Sequence, residues 1–362
     1  MKVCFICVEI FAWSKYGGFG RATRMIGREL VRRGIEVSAV VPRRRGQREV
    51  EQLDGIQVLS FAPEWPFTMT RLVRQCDADI YHSENPSLGT YLAQRALPAR
   101  KHVVTFRDPK EFRDWMIELR KPSASRLQVL LNWLYEDSLL VHSSMRKMDG
   151  VYATAPSINP KLKRKFGFDR DLELLATPVS LNGEVVKASC PTVCFIGRWD
   201  RRKRPEFFFE LAREFPNVEF LAVGRSNSKA WEDKLRNRYG NISNLKLLGF
   251  LDQFRSAELQ EILGRSWILV STAAREGLPT VFLEALANKC AILSHVNPDQ
   301  IAERFGYHAH ADDFKKGLET LLKQGTWRQK GQGGYEYIRD TYELDSVIDK
   351  HIAVYQSLVN SN

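Results

Sequence analysis

A chain of 362 residues exceeds one ordinary hydrophobic core and points to two domains. With 44% hydrophobic and 27% charged residues, no low-complexity tract and no apolar run of membrane-spanning length, the composition excludes disordered, fibrous and membrane-spanning classes. The net charge is +11, and residues 21–48 hold nine arginines against Glu29 and Glu36. An anionic partner is therefore expected, either a phospholipid surface or a phosphate-bearing acceptor, with a plain solvated helix face as the alternative. Nucleic acid is disfavoured, because no zinc-finger spacing or RNA-binding aromatic motif accompanies the charge.

The first residues, Met1 to Glu9, meet an acid early and lack a cleavage site, so they read as a buried strand and not a signal peptide. Cys4 and Cys7 have C-x-x-C spacing, yet odd spacing on a strand puts them on opposite faces, and no second pair completes a zinc site. They read as core thiols of a reducing cytoplasm. Strands fit 2–8, 35–41, 56–61, 79–83, 101–106 and 150–153. Helices fit 18–33, 67–76, 87–97, 110–120, 124–140 and 157–166. In the first helix Ala22, Ile26 and Leu30 face one way, and Arg21, Arg24, Arg28 and Arg32 the other.

Residues 1–170 are expected to form one domain and 171–190 a linker. The pattern restarts in a second domain over 191–340. Strands there fit 192–197, 217–223, 244–248, 267–271 and 290–294, with helices at 204–215, 229–239, 255–264, 280–288 and 298–304. A terminal helix over 341–362 has no strand to cover and is expected to cross back. Such alternation predicts an α/β chain of two Rossmann-like domains, each a parallel sheet covered on both faces, with ligands at the carboxyl ends of the strands.

Glu276 and Glu284 bracket a segment with seven residues between them. Glu284 falls in the otherwise apolar run Val281 to Ala287, where a carboxylate is costly unless something polar meets it. Pro279 suits a helix start, so free N–H groups there would face a phosphate, and the two acids suggest a ligand carrying phosphate and hydroxyls. Gly17 and Gly18 follow the first strand and open the first helix, where backbone can approach an anion. Their G-G-x-G spacing differs from the dinucleotide fingerprint, which argues against NAD. Gly197 to Lys203 ends the first strand of the second domain. Arg198 and Lys203 there could neutralise a leaving diphosphate, although Arg201, Arg202 and Arg204 crowd the same loop and spacing does not single the two out.

These motifs, in this order, resemble the GT-B glycosyltransferases and among them the retaining family 4, over nearly the whole chain. The resemblance implies two Rossmann-like domains facing a cleft, with the C-terminal helix crossing back. It implies that the second domain binds a nucleoside-diphosphate sugar as donor substrate, with no further cofactor and no metal. Arg198 and Lys203 would contact the diphosphate, Glu284 the ribose, and Glu276 the donor sugar. Gly277, Leu278, Pro279 and Thr280 would hold hydroxyls and phosphate, Phe250 and Leu251 the base, and Gly17 and Gly18 the phosphates from the first domain. The acceptor would be a carbohydrate or lipid-linked hydroxyl in surface polysaccharide or glycolipid synthesis; apart from the resemblance, the arginines of 21–48 suggest a cytoplasmic enzyme peripheral to the inner face of the plasma membrane. A sugar-nucleotide epimerase and a non-catalytic sugar-nucleotide scaffold are the competing readings.

The sequence departs from the family pattern in places. Arg107–Asp108–Pro109 stands where a His–Gly is usual. Asp108 could polarise the acceptor and Arg107 hold an anion, or the turn is purely structural. His82 is expected at the same cleft, with a hydrogen-bonded loop histidine as the plainer reading. Asn288–Lys289 replaces a glycine turn, which should affect only a helix end. Asp77–Ala78–Asp79 spells a metal motif of another transferase fold, but it precedes a strand and reads as a turn. Lys15 before the glycine pair is like the K-x-G-G of glycogen and starch synthases.

Overall fold

A computed structural model describes residues 1–13, 16–123, 125–181 and 183–361, so Lys15 lies outside the described residues. The elements in chain order are β1 Lys2–Ile6, α1 Gly18–Arg32, β2 Glu36–Pro42, β3 Val50–Leu53, β4 Ile56–Phe61, α2 Met69–Cys76, β5 Ile80–Glu84, α3 Leu88–Ala96, β6 Lys101–Phe106, α4 Phe112–Arg120, α5 Arg126–Glu136, α6 Leu139–Met145, β7 Gly150–Ala153, α7 Asn159–Phe166 and β8 Glu173–Leu174. There follow β9 Thr192–Ile196, α8 Pro205–Glu214, β10 Glu219–Val223, α9 Lys229–Tyr239, β11 Leu245–Gly249, α10 Glu258–Arg265, β12 Ile268–Ser271, α11 Thr280–Ala287, β13 Ala291–Ser294, α12 Ile301–Arg304, β14 Gly306–His308, α13 Phe314–Leu322, α14 Thr326–Thr341 and α15 Leu344–Asn360. No described helix is long and apolar enough to cross a membrane.

The chain divides into two compact units: Met1–Glu111, Leu130–Pro178 and Leu344–Asn362 in the first, Phe112–Val129 and Val179–Glu343 in the second. Helix α4, expected in the first domain, groups with the second.

The first unit is built on an eight-stranded sheet in the order β3-β4-β2-β1-β5-β6-β7-β8, parallel except where β3 runs against β4. Central β1 pairs Val3 with Val37 of β2 and with Ile80 of β5. Its residues are apolar on both faces because both faces are covered. Val3, Phe5 and Cys7 pack with Ile26 and Leu30 of α1 and with Ile348 and Tyr355 of α15. Cys4 and Ile6 pack on the other side with Leu59, Leu72 and Leu92. The two thiols thus lie on opposite faces, as their spacing predicts. Asp77 caps α2 in the left-handed region and pairs with Arg100, and Asp79 accepts from the Lys2 N–H, so this Asp pair serves the turn into β5.

A polar network lies inside this core. His82, fully buried on β5, bonds Tyr355 of α15 through Nδ1 at 2.7 Å and Thr105 of β6 through Nε2 at 2.6 Å. His351, also on α15, lies 3.3 Å from the Tyr355 hydroxyl and reaches the Ala176 carbonyl. The network ties the C-terminal helix to the middle of the sheet, and it corrects the expectation that His82 faces a cleft. Burial, reinforced by the Arg107 charge, lowers the His82 pKa to about 3; burial, then the neighbouring His82, lowers His351 to about 3. The neutral rings are favoured in the fold, so their stabilisation is complete above the ordinary histidine pKa and is lost as pH falls toward the folded value. Each histidine then removes about 1.4 kcal/mol per pH unit below about pH 6.5. Urea unfolding of the first unit should therefore shift to clearly lower midpoints between pH 7 and pH 5, and His351→Gln should flatten that dependence. Equal midpoints at the two pH values would contradict this account.

The second unit carries six parallel strands in the order β11-β10-β9-β12-β13-β14. Its core includes Trp199, Phe208, Phe209, Phe220 and Trp327. Helix α14 closes on the unit through glycines: a Cβ on Gly331 would stand 2.2 Å from the Lys289 carbonyl oxygen, and one on Gly334 2.4 Å from Leu286. The Lys187 ammonium, in the expected linker, reaches the carbonyls of Ser266 and Asn288 beyond the ends of α10 and α11, where the helix dipoles favour a cation.

Candidate functional site

Strands β9 and β12 are neighbours, so the loops leaving their carboxyl ends lie side by side. The first loop carries Arg198 to Arg204 and the second Thr272 to Pro279. This adjacency joins the two charged motifs, with the Lys203 ammonium in an ion pair with the Glu276 carboxylate. Both side chains remain partly accessible, at 19% and 16%.

The first loop is rigidly organised. Buried Asp200 accepts from the backbone N–H groups of Arg202 and Lys203 at 3.1 and 2.9 Å. Burial alone would raise the Asp200 carboxyl, but the Arg198 and Arg202 charges and the Lys203 N–H outweigh it and hold the group below its usual range. The Thr272 hydroxyl meets the carbonyls of Lys203 and Arg204 at 2.6 and 2.8 Å. Arg204, in the left-handed region, donates to the Thr272 carbonyl and makes a bidentate pair with Asp312 at 2.8 Å. Arg202 pairs with Glu118 of α4, and Arg201 stacks on Trp231. Three of the five cations are thus tied to other elements of the unit, while Arg198, its side chain 35% exposed, lies 3.5 Å from Asp200 within its own loop and Lys203 pairs with Glu276. Asp200 escaped notice in the sequence, although it is the lone acid among those cations.

The second loop is held through buried Arg275, whose guanidinium meets Asp114 at 2.8 Å and Glu118 at 3.3 Å. Helix α4 therefore fixes the residues beside both Lys203 and Glu276, a role that local sequence does not reveal. Pro279 is the extended N-cap of α11, and Gly277, Leu278 and Thr280 stay partly accessible around it. Glu284 is the sole residue of Val281 to Ala287 that is not buried. Side chains lean toward the N-terminus of their helix, which directs Glu284 over Thr280 and the entering loop. At the other end Asn288 donates to the Glu284 carbonyl at 2.8 Å and Lys289 takes a positive φ, so the unusual turn affects the helix end alone.

Glycines shape the same sheet edge. A Cβ on Gly224, after β10, would stand 1.9 Å from the Gly197 carbonyl, and Gly249 ends β11 with φ +77. Phe250 and Leu251 follow, partly buried, with the Arg225 guanidinium 5.0 Å from the Phe250 ring.

Other expected residues lie in the first unit. Gly17 is the N-cap of α1 and Gly18 its first residue. The Glu9 carboxylate already faces this helix end: it accepts from the Gly20 N–H at 3.1 Å, and a Cβ on Gly17 would fall 1.9 Å from it. Asp108 follows β6, partly accessible. Arg107 is buried and bound to Glu84 and Thr177, which corrects the suggestion that it holds an anionic ligand.

The model of the glycosyltransferase family 4 matches residues 16–182, and that of the glycosyl transferases group 1 matches residues 184–331. A search of curated protein sequences gives no match. Among solved structures, sucrose-phosphate synthase from Thermosynechococcus elongatus is similar at 15% identity and a TM-score of 0.75, over 100% of both chains. Anabaena HepE in complex with UDP and glucose is similar at 13% identity and 0.62, over 99% of this chain and 100% of that one. The catalytic domain of starch synthase IV from Arabidopsis thaliana, bound to ADP and acarbose, is similar at 12% identity and 0.63, over 99% of each. The two units have the fold of these GT-B enzymes, and the chain belongs to the group 1, family 4 glycosyltransferases.

Proposed function

We propose that this glycosyltransferase is a retaining, metal-independent hexosyltransferase. It moves a sugar from a nucleoside-diphosphate sugar to an acceptor hydroxyl in surface polysaccharide or glycolipid synthesis, at the inner face of the plasma membrane. The observation that carries the reading is the Lys203–Glu276 pair, which sets a cation for diphosphate beside a carboxylate for the sugar, with Arg198 in the same loop. Arg198 and Lys203 neutralise the diphosphate as the bond from its oxygen to the anomeric carbon breaks. Glu276 stabilises the positive charge that develops on the sugar. The acceptor oxygen bonds the same face of that carbon and passes its proton to a diphosphate oxygen. Glu284 holds the ribose hydroxyls, the backbone of Gly277 to Thr280 holds sugar and phosphate, and Phe250 and Leu251 adjoin the base. Gly17 and Gly18 contact phosphate, and Asp108 contacts the acceptor hydroxyl.

Thermal shift with UDP, GDP, ADP and their sugars tests the donor class, and HepE with UDP and starch synthase IV with ADP make both bases worth including. Epimerised nucleotide-sugar formed without acceptor would overturn transfer in favour of the epimerase. Glu284→Ala should weaken nucleotide affinity in calorimetry by about 10–100-fold, the value of hydrogen bonds to a charged group. Unchanged affinity would remove Glu284 from the ribose site.

A further inference from the structure

Helices α5 and α6 turn leucines to solvent. Leu127, Leu130, Leu131 and Leu134 follow the spacing of one helix stripe, and all four are exposed; Val129 is the only buried residue of α5. Leu139 and Leu140 continue the exposed apolar surface at the start of α6, with Leu139 88% exposed. Six exposed leucines within one short segment are more than scattered surface residues explain.

The charges from the start of α5 to the end of α6 and the two residues after it identify the occupant. Every charged residue of 126–147 that is exposed is basic: Arg126, Arg146 and Lys147. The acids there are tied to cations of the protein, Glu136 to Lys110 and Asp137 to Lys165. Leucines beside uncompensated cations suit the boundary between acyl chains and anionic headgroups. A second copy of the chain would bring like charges together. The arginine-rich stretch 21–48 is a poorer surface, because Arg24 pairs with Asp54, Arg28 and Arg32 with Glu29, Arg33 with Asp345 and Arg43 with Glu49.

We propose that α5 and the first turn of α6 dock the protein on an anionic lipid bilayer, the leucines entering the headgroup boundary and the cations meeting lipid phosphates. This deepens the membrane placement proposed above and rests on it, while none of these leucines belongs to the donor site. The test is flotation with vesicles of phosphatidylcholine, alone or mixed with phosphatidylglycerol, at low and high salt. The full chain should float with the mixed vesicles, and salt should weaken but not abolish this, because the apolar part is unscreened. Leu131→Gln with Leu134→Gln should lower the bound fraction about tenfold or more. Arg45→Gln with Arg48→Gln should leave it unchanged. The idea is overturned if the full chain stays soluble with both vesicles, if the leucine variant floats equally well, or if the Arg45 and Arg48 changes alone abolish flotation. A dimer in light scattering that the leucine changes dissociate would assign the stripe to a second copy instead. Nucleotide affinity measured on the same samples keeps the outcomes separate: unchanged affinity with failed flotation removes the docking surface and leaves the transfer reading standing.

Discussion

Glu276→Gln should lower the rate of sugar transfer by about 10²–10³-fold, in the range found when a preorganised charge at a reacting centre is removed. Nucleotide affinity should fall little. The substitution keeps the shape of the side chain and removes one negative charge, so Lys203 is left with more positive potential for the diphosphate. The loop itself is fixed independently of Glu276, by Thr272 and Arg204 on one side and by Arg275 with Asp114 on the other. The fold should therefore persist. Lys203→Met should behave differently, because it strips the diphosphate of a cation and leaves the Glu276 carboxylate without its partner, so donor affinity falls together with the rate. Separate measurement of donor affinity by calorimetry and of transfer rate distinguishes the two. A Glu276→Gln protein with full transfer rate would remove Glu276 from the reacting centre. A wild type that binds donor but never hydrolyses or transfers it would favour the scaffold reading.

Much of the fold was legible because parallel strands covered on both faces are written as short apolar runs. The stretches 56–61, 101–106 and 150–153 match strands of the first sheet residue for residue. The omissions have local causes. Strand β3 is a solvated antiparallel edge strand of alternating burial and carries no apolar run. Strand β14 has three residues and begins at Gly306, which lies against the Ile292 carbonyl. Helix α13 contains Gly317, which counts against a helix locally but is required where Leu293 and Tyr307 pack closely. Glu276, Glu284 and the glycines were legible because each breaks its local pattern. Which arginines are structural was not, since Arg204 and Arg202 find Asp312 and Glu118 at separations of 108 and 84 residues. His82 was misplaced for a similar reason. Its partners come from β6 and from α15 near the far end of the chain, and no local signal distinguishes a histidine at a strand tip from one bonded inside the core.

Arg107→Met should destabilise the first unit by about 3–5 kcal/mol, the cost of breaking a buried ion pair from one side. Glu84 and Arg107 are 1% and 5% exposed. The guanidinium donates to Glu84 from Nε at 2.5 Å and to the Thr177 hydroxyl from Nη1 at 2.7 Å, while the Arg107 N–H is received by Asn85. Methionine can fill much of the volume, but it leaves the Glu84 carboxylate inside the protein with His82 Nε2 3.8 Å away as its nearest cationic candidate, and burial keeps that ring neutral. Removing both charges avoids the penalty, so Glu84→Leu combined with Arg107→Met should be more stable than Arg107→Met alone. Urea unfolding of the two proteins at neutral pH measures the difference. The same experiment decides between the two roles considered for Arg107. A structural cation predicts loss of stability that the second substitution partly restores. A ligand-binding cation predicts a stable Arg107→Met protein with impaired transfer, and that result would return Arg107 to the reaction.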